Sequence, residues 1–337
     1  MKYTVLESGK EQNTKDVIEQ FALDILMGLT SKKKFLSSKY FYDDKGSQIF
    51  SKIMDSIDYY PTDCEFEIFH NKKSHITKSI RETLKQTHDD FNVVELGAGD
   101  GRKTKILLEE IIQNKIAFNY FPIDISAEAL DMLGNTFKKD IPALHMHGVV
   151  GEYQDSLKWI QENKSGHNLV MFLGSNIGNF NFTEAMVFLR TLWQYLNEGD
   201  LVLIGFDLKK DIDIMLRAYN DSAGYTAQFN LNLLNRINQE LGANFDLKKF
   251  QHFGTYNPQL GSMESFLISL ETQEVYVDYL KKAFHFKAYE PIHLEYSYKY
   301  LLSEVEFLAK ESGFEVIENF KDTKGWFTDC LWKVIKD

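Results

Sequence analysis

The sequence has few cysteines, and it lacks the long apolar runs of exported or membrane proteins. Two cysteines, Cys64 and Cys330, in 337 residues are too few for a disulfide framework, and they form no Cys-x-x-Cys pair. This usage indicates a reducing compartment. The first residues (MKYTVLESGKEQNT) contain no apolar signal-peptide core, so we expect a cytoplasmic protein. No run approaches the roughly 18 apolar residues of a membrane span, so we expect no membrane partner.

Positive charge is also scarce. The net charge is -11 and the pI is near 5.4, which argues against a nucleic-acid partner and favours a small-molecule substrate. There is no H-E-x-x-H helix and no Cys/His cluster, so we predict no metal site. A G-x-x-x-x-G-K-[ST] loop is missing too, and this excludes a P-loop NTPase.

Prolines number only five, and no repeat or low-complexity tract marks a linker. The apolar content of 44% is ample for one large or two modest domains. In the middle of the chain short apolar runs alternate with helical patterns, which predicts a doubly wound, parallel α/β sheet. The predicted strands cover residues 92–96, 119–124, 143–149, 168–173 and 200–207, and the predicted helices cover 62–84, 101–114, 126–138, 154–163 and 182–196.

Residues 210–297 break this alternation and are predicted to be an insertion. They contain a helical pattern at 229–241 and strand-like alternation at 262–270 and 289–298. The α/β character then returns with a helix at 301–312. Two further strands, predicted at 314–320 and 330–335, would complete a seven-stranded sheet.

Three alternating glycines, Gly97, Gly99 and Gly101, follow the first buried strand and precede a helix. Their lack of side chains lets a ligand approach the backbone, and the helix N-terminus favours a carboxylate or phosphate. With Glu95 they form E-x-G-x-G-x-G, which differs from the dinucleotide G-x-G-x-x-G. The pattern resembles the first motif of class I S-adenosylmethionine (SAM)-dependent methyltransferases. A purely structural turn is the alternative.

A second buried strand ends in Asp124, 23 residues after Gly101. A βαβ unit places a ribose-binding carboxylate at this position, where it can accept hydrogen bonds from both ribose hydroxyls. The alternative is that Asp124 caps the helix that begins near Ser126, and the two roles can coexist.

Several segments are both polar and aromatic, which is unusual for ordinary structure. They are YDDKGSQIF (42–50), DYYPT (58–62), FLGSNIGN (172–179), RAYND (217–221), FNLNLLNRINQEL (229–241) and HLEYS (293–297). Together with the glycine loop they resemble the L-histidine Nα-methyltransferases of ergothioneine biosynthesis, which trimethylate the histidine α-amine to give hercynine. The resemblance runs from about residue 35 to the C-terminus.

This resemblance implies a class I, Rossmann-like SAM-binding domain with a seven-stranded, mostly parallel sheet, made of residues 62–208 plus 299–337. It implies a second, α+β substrate-binding domain made of residues 1–61 plus 209–298, which closes over the amino acid. It also implies a monomer that uses SAM as cofactor, releases S-adenosylhomocysteine and takes L-histidine as substrate.

Position by position, the resemblance also implies site residues. Those expected on SAM are Gly97, Gly99 of the same loop, Lys103, Asp124, Glu152 and Tyr153. Those expected around the amino acid are Tyr42, Tyr59, Gly174, Asn179, Tyr219, Ser265, Glu295 and Ser297. Asn179 and Tyr219 would hold the α-amino and carboxylate groups and take part in catalysis. Glu295, Ser297 and Tyr59 would bind the imidazole, whose two nitrogens need one donor and one acceptor.

Several of these residues also fit purely structural roles. The three tyrosines could be core packing. Period two places Glu295 and Ser297 on one strand face with His293, and that face could simply be wet. Asn179 could be a left-handed turn residue.

Two positions depart from the family pattern. Ser265 stands where the family has a methionine lining the imidazole pocket, and Glu152-Tyr153 stands where the family has Asp-Phe. The smaller, polar Ser265 leaves the choice of amino acid more open than the reaction type.

The expected mechanism is in-line attack of the substrate amine on the sulfonium methyl, with Tyr219 or a water beside it steering the amine proton away. Three alternatives remain: the same chemistry on another amino acid or histidine-like metabolite, a nicotinamide dehydrogenase, and a SAM-binding regulatory module without activity.

Overall fold

The computed structural model describes residues 2–6, 14–84 and 91–336. The strands are β1 (Lys2–Val5), β2 (Phe91–Leu96), β3 (Asn119–Asp124), β4 (His147–Val150), β5 (His167–Phe172), β6 (Leu201–Asp207), β7 (Phe250–Asn257), β8 (Ser262–Ser269), β9 (Gln273–Val277), β10 (Lys282–Phe286), β11 (Pro291–Tyr298), β12 (Phe314–Lys321) and β13 (Phe327–Val334). The α-helices are α1 (Thr14–Thr30), α2 (Asp44–Met54), α3 (Tyr60–Leu84), α4 (Arg102–Gln113), α5 (Ala127–Asp140), α6 (Tyr153–Asn163), α7 (Phe182–Tyr195), α8 (Ile212–Tyr219), α9 (Tyr225–Leu241) and α10 (Leu302–Ser312).

These elements form two compact units. Unit 1 takes in the described residues of 1–11, 63–209 and 300–337, and unit 2 takes in those of 12–62 and 210–299. No helix of the described ranges has both the length and the apolarity needed to cross a membrane.

Unit 1 is built on an eight-stranded sheet with the order β1-β4-β3-β2-β5-β6-β13-β12. The first six strands in this order are parallel, and β13 pairs antiparallel with both β6 and β12. Strands β2 and β6 are buried along their whole length. Their mostly apolar sequences fit a parallel sheet covered by helices on both faces.

Strand β1 corrects the sequence prediction. Residues 1–61 were assigned to the substrate-binding domain, but Lys2–Val5 pairs with β4 and makes the sheet eight-stranded rather than seven-stranded. Strand β4 is also shorter than the predicted 143–149, and only Met146 extends it as an isolated bridge to Tyr120.

Unit 2 contains a three-stranded antiparallel sheet, β11-β8-β7, and the β9–β10 hairpin. Its apolar core joins residues of α1, α2 and α9 to this sheet, among them Phe21, Ile49, Phe229 and Leu267. Strands β7, β9 and β10 were not predicted from the sequence.

The YDDKG segment has a structural role inside unit 2. Asp43 is the N-cap of α2, and its side chain accepts the Gly46 backbone N–H at 2.6 Å. The same Asp43 oxygen accepts a hydrogen bond from the Asn232 amide on α9 at 2.8 Å. Two segments that resemble the family are therefore bonded to each other, and this bond fixes α2 against α9.

Candidate functional site

The sheet of unit 1 has a topological switch point between β2 and β5, where the strand order reverses. Ligands of open α/β sheets bind outside the carboxyl ends of the strands at such a point. The glycine loop follows β2, Asp124 ends β3, Tyr153 follows β4 and Gly174 follows β5. Most of the predicted cofactor residues thus lie at the carboxyl ends of adjacent strands.

The three loop glycines share a left-handed backbone, with φ of 71°, 53° and 68° at Gly97, Gly99 and Gly101. Their surroundings differ. A Cβ added to Gly99 would meet nothing within 4 Å, whereas one added to Gly101 would lie 2.4 Å from Leu133 and 2.7 Å from Phe137. Only Gly99 borders open space, and Gly101 is required by packing against α5. We had expected all three glycines to make room for a ligand, and for Gly101 this is wrong.

Gly97 makes room for another candidate residue. A Cβ at Gly97 would lie 2.8 Å from the Tyr153 hydroxyl. The Tyr153 ring packs edge-on against Phe172, with centroids 5.8 Å apart. Burial raises the pKa of Tyr153 to about 12, with a smaller contribution from Asp124, so the phenol is protonated at neutral pH. Glu152 immediately precedes α6 and is exposed.

Asp124 lies half-buried at the end of β3. Burial raises the pKa of its carboxyl, while backbone N–H groups that include those of Ser126 and Gly99 lower it. The α5 cap is Ser126, whose hydroxyl accepts the Ala129 N–H, and Asp124 accepts the Ser126 N–H at 2.9 Å. Asp124 is therefore not the helix cap, and it is tied to the glycine loop through Gly99.

Lys103 and Gly174 are brought together by Glu65 on α3. Glu65 is fully buried, pairs with the Lys103 ammonium through one oxygen and accepts the Gly174 N–H at 2.7 Å through the other. Burial by itself lowers the pKa of Lys103, but the Glu65 carboxylate outweighs it and the pKa is raised. Burial and the adjacent Glu65 raise the pKa of buried Asp329 well above its ordinary value. Both shifts favour the protonated forms of Lys103 and Asp329.

Glu95, the first residue of the E-x-G-x-G-x-G pattern, is a buried structural residue. Its carboxylate accepts hydrogen bonds from the hydroxyls of Thr104 and Tyr120. Burial raises its pKa to about 7, and the two hydroxyls oppose that shift. These bonds join β2 to α4 and β3, so Glu95 stabilises the elements on either side of the glycine loop.

In unit 2, Tyr219 at the end of α8 belongs to a buried polar network. Its hydroxyl donates to Ser297 Oγ at 2.6 Å, and the Lys299 ammonium donates to both oxygens at 2.9 Å. The Tyr219 carbonyl lies 2.8 Å from His252 Nε2, and His252 Nδ1 lies 2.8 Å from the Asn230 amide nitrogen. Since that amide can only donate, Nδ1 accepts and Nε2 carries the proton.

Glu295 and Ser265 lie directly opposite each other on β11 and β8. Burial raises the pKa of Glu295 to about 7, and the charge of Lys299 lowers it. A β-bulge between His293 and Glu295 shifts the register, so that His293 pairs with Phe266 instead of sharing the face of Glu295. The period-two prediction was therefore right for Glu295 and Ser297 and wrong for His293.

Tyr42 and Tyr59 both pack edge-on against Phe50, with ring centroids 5.4 Å and 6.4 Å away. Tyr42 also contacts Phe229 on α9. Tyr42 nevertheless keeps 50% of its surface exposed, so its ring is partly available to a ligand. For these two tyrosines core packing and ligand contact are compatible.

Asn179 is exposed at the end of a 3-10 helix, Asn176–Asn179, in unit 1. The left-handed residues of this segment are Gly174 and Ser175, not Asn179. Ser175 is a buried non-glycine residue at φ 57°, and its hydroxyl accepts the Asp207 N–H at 3.0 Å. The left-handed turn that we considered for Asn179 therefore lies four residues earlier.

Sequence reasoning missed the ionisable residues that hold the candidates in place, namely the buried Glu65, Lys299 and Asp329 and the part-buried His252. Their burial depends on strands and helices far apart in the chain, so no local pattern marks them. Among the described residues no group of three His, Cys, Asp or Glu side chains could hold a metal ion.

The family described as "Histidine-specific methyltransferase, SAM-dependent" matches residues 21–334. The chain is 34% identical to the histidine N-alpha-methyltransferase of Mycolicibacterium smegmatis, over 92% of this chain and 93% of that protein. It is 33% identical to the Mycobacterium tuberculosis protein of the same name, over 90% and 92%. It is also 27% identical to a 4-dimethylallyltryptophan N-methyltransferase of Claviceps purpurea, over 86% and 88%.

Proposed function

The chain belongs to the SAM-dependent, histidine-specific methyltransferase family, and from this premise we propose that it methylates the α-amine of L-histidine three times to give hercynine. The observation that carries the proposal is the pair Glu295 and Ser297 on one face of β11. A carboxylate accepts and a hydroxyl can donate, so together they match the two different nitrogens of a neutral imidazole.

The residues of unit 1 fit SAM. The space in front of Gly99 admits a ligand against the backbone, and Asp124 offers a half-buried carboxyl to ribose hydroxyls. The charged Lys103 suits a carboxylate, and the Tyr153 ring offers an apolar surface beside Glu152. SAM supplies the electrophilic methyl group when it is bound. We therefore propose residues 62–208 plus 299–337, together with β1, as the SAM-binding domain.

For the amino acid we propose residues 1–61 plus 209–298 as the substrate-binding domain, apart from β1. The proposed contacts of the amino acid are Tyr42, Tyr59, Gly174, Asn179, Tyr219, Ser265, Glu295 and Ser297. Asn179 is suited to the α-amino or α-carboxylate group because an amide both donates and accepts.

The chemical step needs a neutral amine, because an α-amino group with a pKa of about 8 is mostly ammonium at neutral pH. The Tyr219 hydroxyl donates to Ser297, so its oxygen can accept an N–H of the substrate amine and direct the nitrogen lone pair. Holding the amine aligned with the methyl group can contribute up to roughly 7 to 11 kcal/mol. Aromatic rings such as Tyr42 can stabilise the growing cation of the later rounds.

Mass spectrometry of the purified protein, incubated with SAM and each of the twenty amino acids in turn, tests the proposal. We expect a gain of three methyl groups on histidine and on no other amino acid. Samples without SAM, and a Glu295→Ala variant, serve as controls. Unmodified histidine with intact, SAM-binding protein would refute the proposed substrate.

A second candidate is the same reaction on a bulkier aromatic amino acid. Ser265 lies opposite Glu295, where the resemblance implies a larger methionine, and one relative is named for 4-dimethylallyltryptophan. Glu295 opposes a purely apolar ring such as phenyl, which has no donor for the carboxylate, whereas an indole N–H could still donate to it. The same assay decides between them.

We further propose that the enzyme acts as a cytoplasmic monomer without a nucleic-acid or membrane partner. The acidic pI near 5.4 supports the absence of nucleic acid. Size-exclusion chromatography with light scattering tests the monomer, since a mass of twice 39.2 kDa would contradict it.

A further inference from the structure

Lys299 is a buried lysine beside the proposed imidazole contacts. It follows β11 directly, and only 2% of its surface is exposed. Its ammonium donates to Tyr219 Oη and Ser297 Oγ, both at 2.9 Å, and lies 4.7 Å from the Tyr219 ring centroid. Burying an ammonium is costly unless it is hydrogen-bonded. These bonds place the charge at a defined point of the site.

The bonds restrict what Ser297 can offer to a ligand. An ammonium only donates, and the Tyr219 hydroxyl also donates to Ser297, at 2.6 Å. Ser297 Oγ therefore accepts two hydrogen bonds, which fill its two lone pairs. The remaining capacity of Ser297 is its own O–H, so it can act only as a donor to a substrate.

Lys299 also acts on Glu295, four residues earlier on the same strand face. Its positive charge lowers the pKa of Glu295, against the larger effect of burial. Further titratable groups lie on both faces of this sheet. On the same face lie His252 and Tyr256 of β7 and Tyr219 of α8, and on the opposite face lie Glu264 and His293. Burial lowers the pKa of His252, which leaves it uncharged at neutral pH.

We propose that Lys299 is a specificity-determining positioning residue, which makes this face select a neutral imidazole. Lys299 leaves Ser297 as a donor to the ring nitrogen that carries no proton. It also keeps Glu295 as an acceptor for the N–H of the second ring nitrogen. An imidazolium presents two N–H groups, so one of them would face the Ser297 hydrogen and the Lys299 charge. The inference rests on the proposed function, in which Glu295 and Ser297 bind the histidine ring.

The variant Lys299→Met tests this role, with Lys299→Arg as the conservative replacement and Lys282→Met, an exposed lysine of β10 in the same unit, as the control. For Lys299→Met we expect the KM for histidine at neutral pH to rise about 10- to 100-fold, the effect of losing a hydrogen bond to a charged group. The affinity for SAM should not change. Lys299→Arg should recover part of the loss, and Lys282→Met should behave as the wild type.

The pH dependence separates this role from structural damage. Without Lys299 the pKa of Glu295 rises further, so the ratio of variant KM to wild-type KM should fall as pH increases and the carboxylate returns. Taking the ratio cancels the titration of histidine itself. A ratio that stays constant with pH would mean that Lys299 only supports the fold.

A second measurement uses the wild-type enzyme and does not depend on the folding of a variant. The two thiazolylalanine isomers keep one acceptor nitrogen, at one ring position or the other, and thienylalanine has none. One isomer should be methylated about tenfold more efficiently than thienylalanine, because Ser297 donates to its nitrogen. Equal rates for all three analogues would overturn the proposal.

The two proposals fail in different ways. If the wild type does not methylate histidine, both are wrong. If it methylates histidine and Lys299→Met keeps the wild-type KM at every pH, only the role of Lys299 is wrong.

Discussion

Substitutions at Gly99 and Gly101 should separate cofactor binding from stability within one loop. Both glycines are left-handed, so alanine costs about 1–2 kcal/mol at either position. At Gly101 the new methyl would also lie 2.4 Å from Leu133 and 2.7 Å from Phe137, and such overpacking adds about 1–3 kcal/mol. Gly101→Ala should therefore lower the free energy of unfolding of unit 1 by about 2–5 kcal/mol, and Gly99→Ala by about 1–2 kcal/mol.

Urea unfolding followed by tryptophan fluorescence measures this difference, because all four tryptophans of the chain, at 159, 193, 326 and 332, lie in unit 1. Calorimetry of SAM binding gives the second half of the test. Gly99→Ala should weaken SAM about tenfold or more, since its methyl enters the space that the ligand needs. The reasoning is refuted if Gly99→Ala binds SAM like the wild type, or if it destabilises unit 1 more than Gly101→Ala does.

Four further substitutions test the polar networks. Tyr219→Phe should slow methylation and leave SAM affinity unchanged, and an unchanged rate would remove this hydroxyl from the chemistry. Glu65→Gln leaves Lys103 without its buried partner and should cost about 3 kcal/mol in urea unfolding. Burial and Glu65 raise the pKa of Asp329, so Asp329→Asn should cost less than Glu65→Gln, about 1 kcal/mol or less, and equal losses would contradict the raised pKa. Since the pKa of Glu295 is about 7, its carboxylate is lost as pH falls through that value, and the KM for histidine should rise there. Protonation of the substrate imidazole also raises the KM as pH falls. Glu295→Gln should abolish the rest of the rise, which is the part due to Glu295.

The central sheet was predictable because its strands are local and mostly apolar runs. The predicted 119–124 matches β3, and the predicted 92–96 and 168–173 differ from β2 and β5 by one residue. Strand β1 was not predictable in this way. It is a mostly exposed edge strand, and its place depends on pairing with β4 more than 140 residues away.

The site was predictable where its residues follow strand ends. The glycine loop and Asp124 are recognisable because a buried strand must stop before them. The bulge before Glu295 was not, since it arises from pairing with β8, and it moved His293 to the opposite face. Lys299 has the sequence context of an ordinary surface lysine, and the fold buries it beside Tyr219 of α8.

The position of Ser265 opposite Glu295 separates two aspects of specificity. A serine in place of the methionine that the resemblance implies leaves more volume, and volume controls the size of the ring that fits. The polarity of the site is set by Glu295, Ser297 and Lys299, which do not depend on Ser265. A phenyl ring could occupy the added space, but it would leave a buried carboxylate without a donor at a cost of about 1–3 kcal/mol. That cost corresponds to roughly 5- to 150-fold in relative rate, so Ser265 can widen the range of rings while histidine remains preferred.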